Sequence, residues 1–160
     1  LSISDMNAGD RIRIIGEDED GKTDDLLAIV SKVDDFFKEI NGENKGYAKM
    51  TVLAPIPAKE LQGDEDKLAS NASSIIIQYH LWPKATSGSE TGYCLYLTGG
   101  DAGVEIWDRL EKRHKPQNYT ALEYDLMLTP HHCSWRSLSH ESWSDNGENY
   151  LITHNINQGG

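Results

Sequence analysis

The segment 73–81 constrains the fold more than any other part of the sequence, because its centre is Ile75-Ile76-Ile77. A short run of β-branched residues favours a strand that is buried within a sheet. A second strand is predicted over 92–97, and the polar stretch 83–91 between the two is typical of a turn. The chain is therefore expected to build a sheet around this pair of strands.

Other apolar segments supply the remaining elements. Further strands are predicted at 9–16, 48–53 and 124–128, and a helix at about 102–113. Helical spacing of apolar residues also predicts an amphipathic helix from Asp24 to Ile40, with Thr23 as its N-cap and Asn41-Gly42 as its end. Strands that alternate with helices indicate an α/β layered domain.

Length and charge exclude several classes of protein. A chain of 160 residues fits one domain, and 26 acidic against 15 basic residues give a formal charge of −11. This balance argues against a protein that coats nucleic acid or docks on anionic lipid. No stretch approaches the ~20 apolar residues of a membrane span. Two cysteines are too few for a disulfide scaffold, so a reduced, cytoplasmic protein is expected.

Two groups of residues that could carry chemistry follow predicted strands. Asp101 comes after Gly99-Gly100, and His131-His132 come after Pro130. Imidazole and carboxylate are zinc ligands, so the two groups together suggest a metal site. Adjacent side chains on an extended backbone face opposite ways, so one histidine is expected to bind metal. The other would orient it, line a cleft or have no role.

Structural roles are expected for several neighbouring side chains. Cys94 is predicted to lie in the core, and Cys133 to be a small buried residue rather than a nucleophile or ligand. Trp107 is predicted to be a core residue of its helix. Trp135 and Trp143 flank the histidine pair, and both are expected to pack within the fold rather than to line a cleft. The terminal Gly159-Gly160 matches the end of ubiquitin-like modifiers, but the chain lacks their pattern of elements.

The order of these motifs resembles the C-terminal half of a metallo-β-lactamase-fold hydrolase over about 50–139. An Ile-rich strand follows Ser70-Asn71-Ala72-Ser73-Ser74, a second strand runs into Leu97-Thr98-Gly99-Gly100-Asp101, and a third runs into Pro130-His131-His132-Cys133-Ser134. The subgroup it is most similar to is the bacterial metallohydrolase domain of DNA-uptake competence (ComEC-like) proteins, whose motifs are Asn-x-x-Ser, Leu-Thr-Gly-Asp and His-His-Gly-Ser.

The resemblance implies a four-layer αββα sandwich with a two-metal site at the strand ends. The metals would be zinc, with manganese as an alternative. Asp101 would bridge them, His131 or His132 would bind the second, and Asn71 and Ser134 would support the site. The implied activity is hydrolysis of a phosphodiester or related ester, with nucleic acid or a nucleotide as substrate.

The sequence departs from the family at three points. Cys133 replaces the glycine after the histidine pair, Gly100 is an extra residue before Asp101, and the main metal motif, His-x-His-x-Asp-His, is absent. We therefore expect residues 1–160, which open on Leu1, to be a single, incomplete domain. Its parts would be an insertion-like segment at 9–47, the C-terminal half core at 48–139 and a polar tail at 140–160.

An incomplete domain of this kind is expected to associate, either with the missing N-terminal half or with another copy, because its strands would lack half of their sandwich. The alternative to a hydrolase fragment is a catalytically inactive half-fold that acts as a protein-binding or assembly module.

Overall fold

A computed structural model describes residues 13–16, 24–40, 43–44, 46–57, 73–83 and 92–140 of the chain. These residues form a mixed α+β fold. The strands are β1 (Ile14–Ile15), β2 (Val30–Ser31), β3 (Phe36–Phe37), β4 (Glu39–Ile40), β5 (Glu43–Asn44), β6 (Ala48–Ala54), β7 (Ile76–Leu81), β8 (Cys94–Thr98) and β9 (Leu126–Leu128). The α-helix, α1, spans Val104–His114.

A five-stranded sheet in the order β3-β6-β7-β8-β9 is the centre of the fold. The pairs from β3 to β8 are antiparallel, whereas β8 and β9 are parallel and α1 lies between them in the chain. Two further pairs, β1 with β2 and β4 with β5, lie outside this sheet. The strands predicted at 48–53, 73–81, 92–97 and 124–128 and the helix predicted at 102–113 are confirmed, with ends shifted by a few residues.

The main core lies between α1 and one face of the sheet. Leu53, Ile76 and Leu97 contribute from three neighbouring strands, and Trp107 and Leu110 contribute from the helix. Leu110 and Ile76 are fully buried, and Trp107 is buried as the sequence predicts. Burial of each large side chain of this kind contributes about 1.5–3 kcal/mol, so this cluster is the main reason that α1 stays on the sheet.

The amphipathic helix predicted from Asp24 to Ile40 is wrong. A short 3-10 helix at Asp24–Ile29 is followed by β2, a turn and β3. Most of the apolar residues that have helical spacing are β-branched or aromatic, and tertiary pairing decides between the two structures. Here Phe36 and Phe37 pair with Thr51 and Met50 of β6.

The turn before β3 shows why a helix cannot pass through this segment. Asp34 has a left-handed backbone (φ 69°) that no α-helix contains. Its N–H donates to the Val52 carbonyl, and the Val52 N–H donates to the Asp35 carbonyl. The Asp35 carboxylate also accepts from the Lys32 N–H at 2.8 Å. These bonds attach the turn to β6 instead of to a preceding helical turn.

The second face of the sheet carries a smaller apolar cluster of Ala48, Met50 and Ile77. Toward β9 this face is open, because Leu126 and Leu128 are 60% and 55% exposed. Cys94, at the start of β8, is also exposed, so its predicted place in the core is wrong. The strand is confirmed, but Cys94 alternates with the buried Leu95 and so lies on the second, more open face of the sheet.

Several predictions concern parts of the chain outside the described residues. They are the first residues of the strand at 9–16, most of the turn at 83–91, Asn71, Trp143 and the tail with Gly159-Gly160. Among the described residues, no helix is both long and apolar enough to span a membrane.

His114 is a buried titratable residue at the last position of α1. Only 2% of its surface is exposed, and neither ring nitrogen has a hydrogen-bond partner of good geometry among the described residues. Burial lowers the pKa of His114 below its ordinary value, although the charge of Asp34 and the side chain of Gln117 act in the opposite direction. The neighbouring Arg113 guanidinium lowers the pKa further and is itself paired with Asp34 at 2.5 Å.

The lowered pKa predicts a loss of stability in acid. Because folded His114 binds its proton less readily than in the unfolded chain, stability is full above the ordinary histidine pKa of about 6.5 and falls as pH drops below it. His114→Leu removes both ring nitrogens and should flatten this part of the pH profile. At neutral pH it should leave the free energy of unfolding unchanged or raise it by about 1 kcal/mol. Urea unfolding between pH 5 and 8 measures both effects. If the free energy of unfolding of the variant falls in acid as much as that of the original chain, the prediction is contradicted.

Candidate functional site

The parallel pairing of β8 with β9 brings together the two groups of residues noted in the sequence. Tyr96 pairs with Leu126 and Thr98 with Leu128, so both strands end at the same edge of the sheet. Asp101 lies three residues after the end of β8, and His131 three residues after the end of β9. Loops at the carboxyl ends of parallel strands are the usual place for a binding site in α/β proteins.

Asp101 and His132 form the closest polar contact at this edge. The Asp101 Oδ1 atom and the His132 Nε2 atom are 3.7 Å apart, and the two side chains are 55% and 91% exposed. A pair this exposed contributes little to stability, so its position is not explained by the needs of the fold. We call Asp101, His131 and His132, which follow the carboxyl ends of β8 and β9, the Asp–His edge.

The backbone that carries the histidines is unusual. His131, His132 and Cys133 have φ angles of 48°, 53° and 64°, three consecutive left-handed residues, none of which is glycine. The expectation of an extended backbone at the pair is therefore wrong, and with it the argument that only one ring can face the edge. Left-handed residues with a Cβ cost about 1–2 kcal/mol each, and runs of strained backbone of this kind cluster at functional sites.

Backbone hydrogen bonds hold this turn against β8. The His131 N–H donates to the Gly100 carbonyl at 2.8 Å, and the Ser134 N–H donates to the His131 carbonyl at 2.8 Å. The Nδ1 atom of His131 is buried and has no hydrogen-bond partner in the described part of the chain. His131 is thus the less exposed histidine and lies at the base of the turn, whereas His132 projects beside Asp101.

Ser137 is a residue of this site that the sequence analysis missed. Its side chain is fully buried, and its hydroxyl donates to the carbonyls of Ser134 and Pro130, at 2.7 and 3.2 Å. It therefore ties both ends of the left-handed turn together. The side chain of Ser134, which is expected to support the site, accepts from the Arg136 N–H and caps the next turn. No sequence signal separates Ser137 from the other serines nearby.

The expectations for the remaining neighbours are corrected. Cys133 is exposed and not a small buried residue, and it belongs to the left-handed turn that lies outside the core. Trp135 is 44% exposed, with the Arg136 guanidinium over its ring, so it does not pack in the core. A second imidazole–carboxylate contact joins His140 Nε2 to Asp108 Oδ2 of α1 at 2.7 Å, and sequence spacing gives no sign of it.

The donor set of the Asp–His edge is small. Within the described ranges, no cluster of three or more histidine, cysteine or acidic side chains could enclose a metal ion. Two ligands on a tetrahedral zinc at about 2.1 Å each lie about 3.4 Å apart, close to the 3.7 Å between Asp101 and His132. The pair therefore fits two positions of a metal site.

Comparisons with protein-family profiles, with characterised proteins and with solved structures give no significant match to this chain.

Close packing of the glycines joins the edge to the core. A Cβ on Gly99 would lie 2.6 Å from the Pro130 Cβ and 3.0 Å from the Trp107 ring. A Cβ on Gly100, whose φ is 51°, would lie 2.9 Å from the Ile75 carbonyl. Both positions need glycine because neighbouring strand ends approach there.

Gly99→Ala should therefore separate the ends of β8 and β9. We expect it to lower the free energy of unfolding by about 1–3 kcal/mol, the usual cost of overpacking a close contact. Gly103→Ala is the matched control, because its Cβ would lie 2.8 Å from the end of the flexible Glu105 side chain and an ordinary 3.7 Å from the Arg136 carbonyl. Chemical denaturation measures both variants. Equal losses in the two would contradict the close contact at Gly99.

Proposed function

We propose that the Asp–His edge is part of the metal site of a metal-dependent hydrolase. The observation that carries the proposal is the 3.7 Å contact of Asp101 with His132, on a turn whose backbone is left-handed at three successive residues. Exposed ligands held by a costly backbone are expected where binding, and not stability, is the purpose.

The motif order supports the family to which this hydrolase would belong. A metallo-β-lactamase-like αββα sandwich, with zinc or manganese as its metal, would place a strand-end aspartate and a histidine of the next parallel strand at one site. The left-handed φ of Cys133 is a further support, because the family's glycine at that position is the residue that best tolerates this conformation.

Two residues of this chain would bind the metal, and two others would hold the turn that carries the histidines. Asp101 and His132 would hold the metal, which when bound lowers the pKa of a water molecule to about 7. His131 and Ser137 would keep the turn in place, through the bond to Gly100 and the two bonds to backbone carbonyls. The proposed substrate is a phosphodiester or a related ester, with a nucleic acid or nucleotide as the leading class.

Zinc titration tests the site. Asp101→Asn and His132→Gln should each weaken zinc binding by at least about tenfold, since loss of even an outer-shell partner costs 10–100-fold. Asp108→Asn is the matched control, because it removes a carboxylate from the other imidazole–carboxylate contact. Zinc binding that survives the first two substitutions, or that falls equally with the control, would reject the site.

Catalysis is expected to need more ligands than this chain supplies. The 160 residues contain no His-x-His-x-Asp-His motif, so we predict no turnover of a phosphodiester such as bis(p-nitrophenyl) phosphate by the chain alone. Activity should appear on addition of a segment that carries that motif, or in a longer protein that includes it. Robust turnover by the 160-residue chain would be evidence against the proposal.

The open face near β9 favours a second candidate, an assembly module without catalysis. β9 is an edge strand, and its outward Leu126 and Leu128 are more than half exposed. Natural edge strands usually carry charge, proline or a bulge that discourages pairing, and β9 has none of these.

Association through this face is the expected consequence under both candidates. The chain should form dimers or larger species by multi-angle light scattering, or bind a missing half of the sandwich. Leu126→Asn combined with Leu128→Asn should shift the chain toward monomer, whereas Leu81→Asn, an exposed leucine farther along the same face, serves as the control. A monodisperse monomer at all concentrations would contradict this expectation.

A further inference from the structure

Beyond the end of α1, the helix-covered face of the sheet continues as a group of aromatic and basic side chains. They are Phe36, Tyr47, Lys49, His80, Trp82 and Tyr93, which we call the aromatic face. Lys49 pairs directly with His80, so both lie on the same side of the sheet as Ile76 and Leu53 of the core. The backbone N–H of Trp82 donates to the Tyr47 carbonyl at 2.9 Å and continues the pairing of β6 with β7 past the end of β7.

Three rings of the aromatic face are packed together. The His80 ring centroid lies 5.0 Å from that of Tyr93 and 6.1 Å from that of Trp82, and the Trp82 and Tyr93 centroids are 5.8 Å apart. Tyr93 is 41% exposed, and Phe36, on the other side of Lys49, is 58% exposed. The group therefore exposes two aromatic side chains in part to solvent, Tyr93 and, beside the lysines, Phe36.

A buried amide holds His80 in this arrangement. The Gln78 Nε2 atom donates to the Thr120 and Glu123 carbonyls at 3.1 and 2.9 Å. Its Oε1 atom is then the acceptor of the 3.1 Å bond from His80 Nε2, which assigns the proton to that nitrogen. The central ring is thus fixed before any ligand binds, and preorganised groups lose less entropy on binding.

Basic side chains lie among the rings. The Lys49 Nζ atom is 4.9 Å from the Phe36 ring centroid, and the Lys38 Nζ atom is 5.9 Å from it. These two lysines bring positive charge to the aromatic face, although the whole chain carries a formal charge of −11.

We propose that the aromatic face binds single-stranded nucleic acid, with bases stacked on Tyr93 and Phe36 and phosphates against Lys38 and Lys49. Base–aromatic stacking beside lysines is the chemistry by which sheet surfaces hold unpaired strands. A duplex would fit poorly, because its base faces are already stacked on one another. The aromatic face lies at the other end of β8 from Asp101, so this inference goes beyond the proposed hydrolase and does not depend on it.

Fluorescence anisotropy of a labelled oligothymidylate tests the proposal, with a length of about 10 nucleotides to span one site. The titration is done in EDTA, so that failure of the metal site cannot alter the result. Tyr93→Ala and Phe36→Ala should each weaken binding about fivefold or more, the lower end of the effect of losing one stacked base. Lys38→Gln with Lys49→Gln should reduce the slope of log affinity against log salt by about 1.4, or about 0.7 for each phosphate contact.

Controls separate stacking from general charge attraction. Lys112→Gln, which removes an exposed lysine of α1, should leave both affinity and salt slope unchanged. An abasic strand of equal length should bind more weakly than oligothymidylate, and so should a duplex. The proposal is overturned if oligothymidylate does not bind at low salt, if the abasic strand binds equally well, or if Lys112→Gln matches the loss of the other lysines. Circular dichroism of each variant confirms that the sheet is intact.

Discussion

The parallel pairing of β8 with β9 is the constraint on which the candidate site depends. Two parallel neighbours cannot be joined by a tight turn, so the chain must cross back over the sheet between them, and α1 makes this crossing. The packing of the apolar side of α1 on Leu97 and Ile76 therefore does more than bury apolar surface. This packing fixes where the chain re-enters the sheet as β9, and so which residue of β9 lies beside the end of β8. The contact of Gly99 with Pro130 then closes the edge, and Asp101 and His132 come within reach of one another.

Much of this arrangement could be predicted from the sequence, because its strongest signals are also the ones that tertiary structure reinforces. Ile76 and Ile77 favour a strand by their own shape, and the sheet buries both. Trp107 and Leu110 have helical spacing and lie on the buried side of α1. The association of Asp101 with the histidine pair follows from simple order, since polar residues that end neighbouring parallel strands share an edge. The exposure of Tyr93 and Phe36, by contrast, depends on which elements pack against the sheet, and no local pattern reports that.

The failures have physical causes that differ from place to place. Between Asp24 and Ile40 the apolar spacing suits a helix, but the turn at Asp34 bonds to Val52, which is distant in sequence. At His131 and His132 the alternation of side chains assumes an extended backbone, and a left-handed turn tied down by Ser137 replaces it. Cysteine is buried more often than most residues, yet both cysteines lie at ends of strands or turns where the core does not reach. At Asp34 the deciding contact is distant in sequence, whereas at the histidine turn it is the nearby Ser137, which no residue pattern distinguishes from its neighbouring serines.

The exposure of Cys94 and Cys133 has a consequence for spectroscopy. Cys94 begins β8, beside the aromatic face, and Cys133 follows β9, beside Asp101 and His132. The first and last residues of β8 alone are roughly 14 Å apart, at about 3.4 Å per residue. The chain thus carries a native pair of thiols that spin labels or fluorophores can reach without an engineered cysteine. The distance between such labels would report directly on whether the two ends of the sheet move relative to each other when a ligand binds at either one.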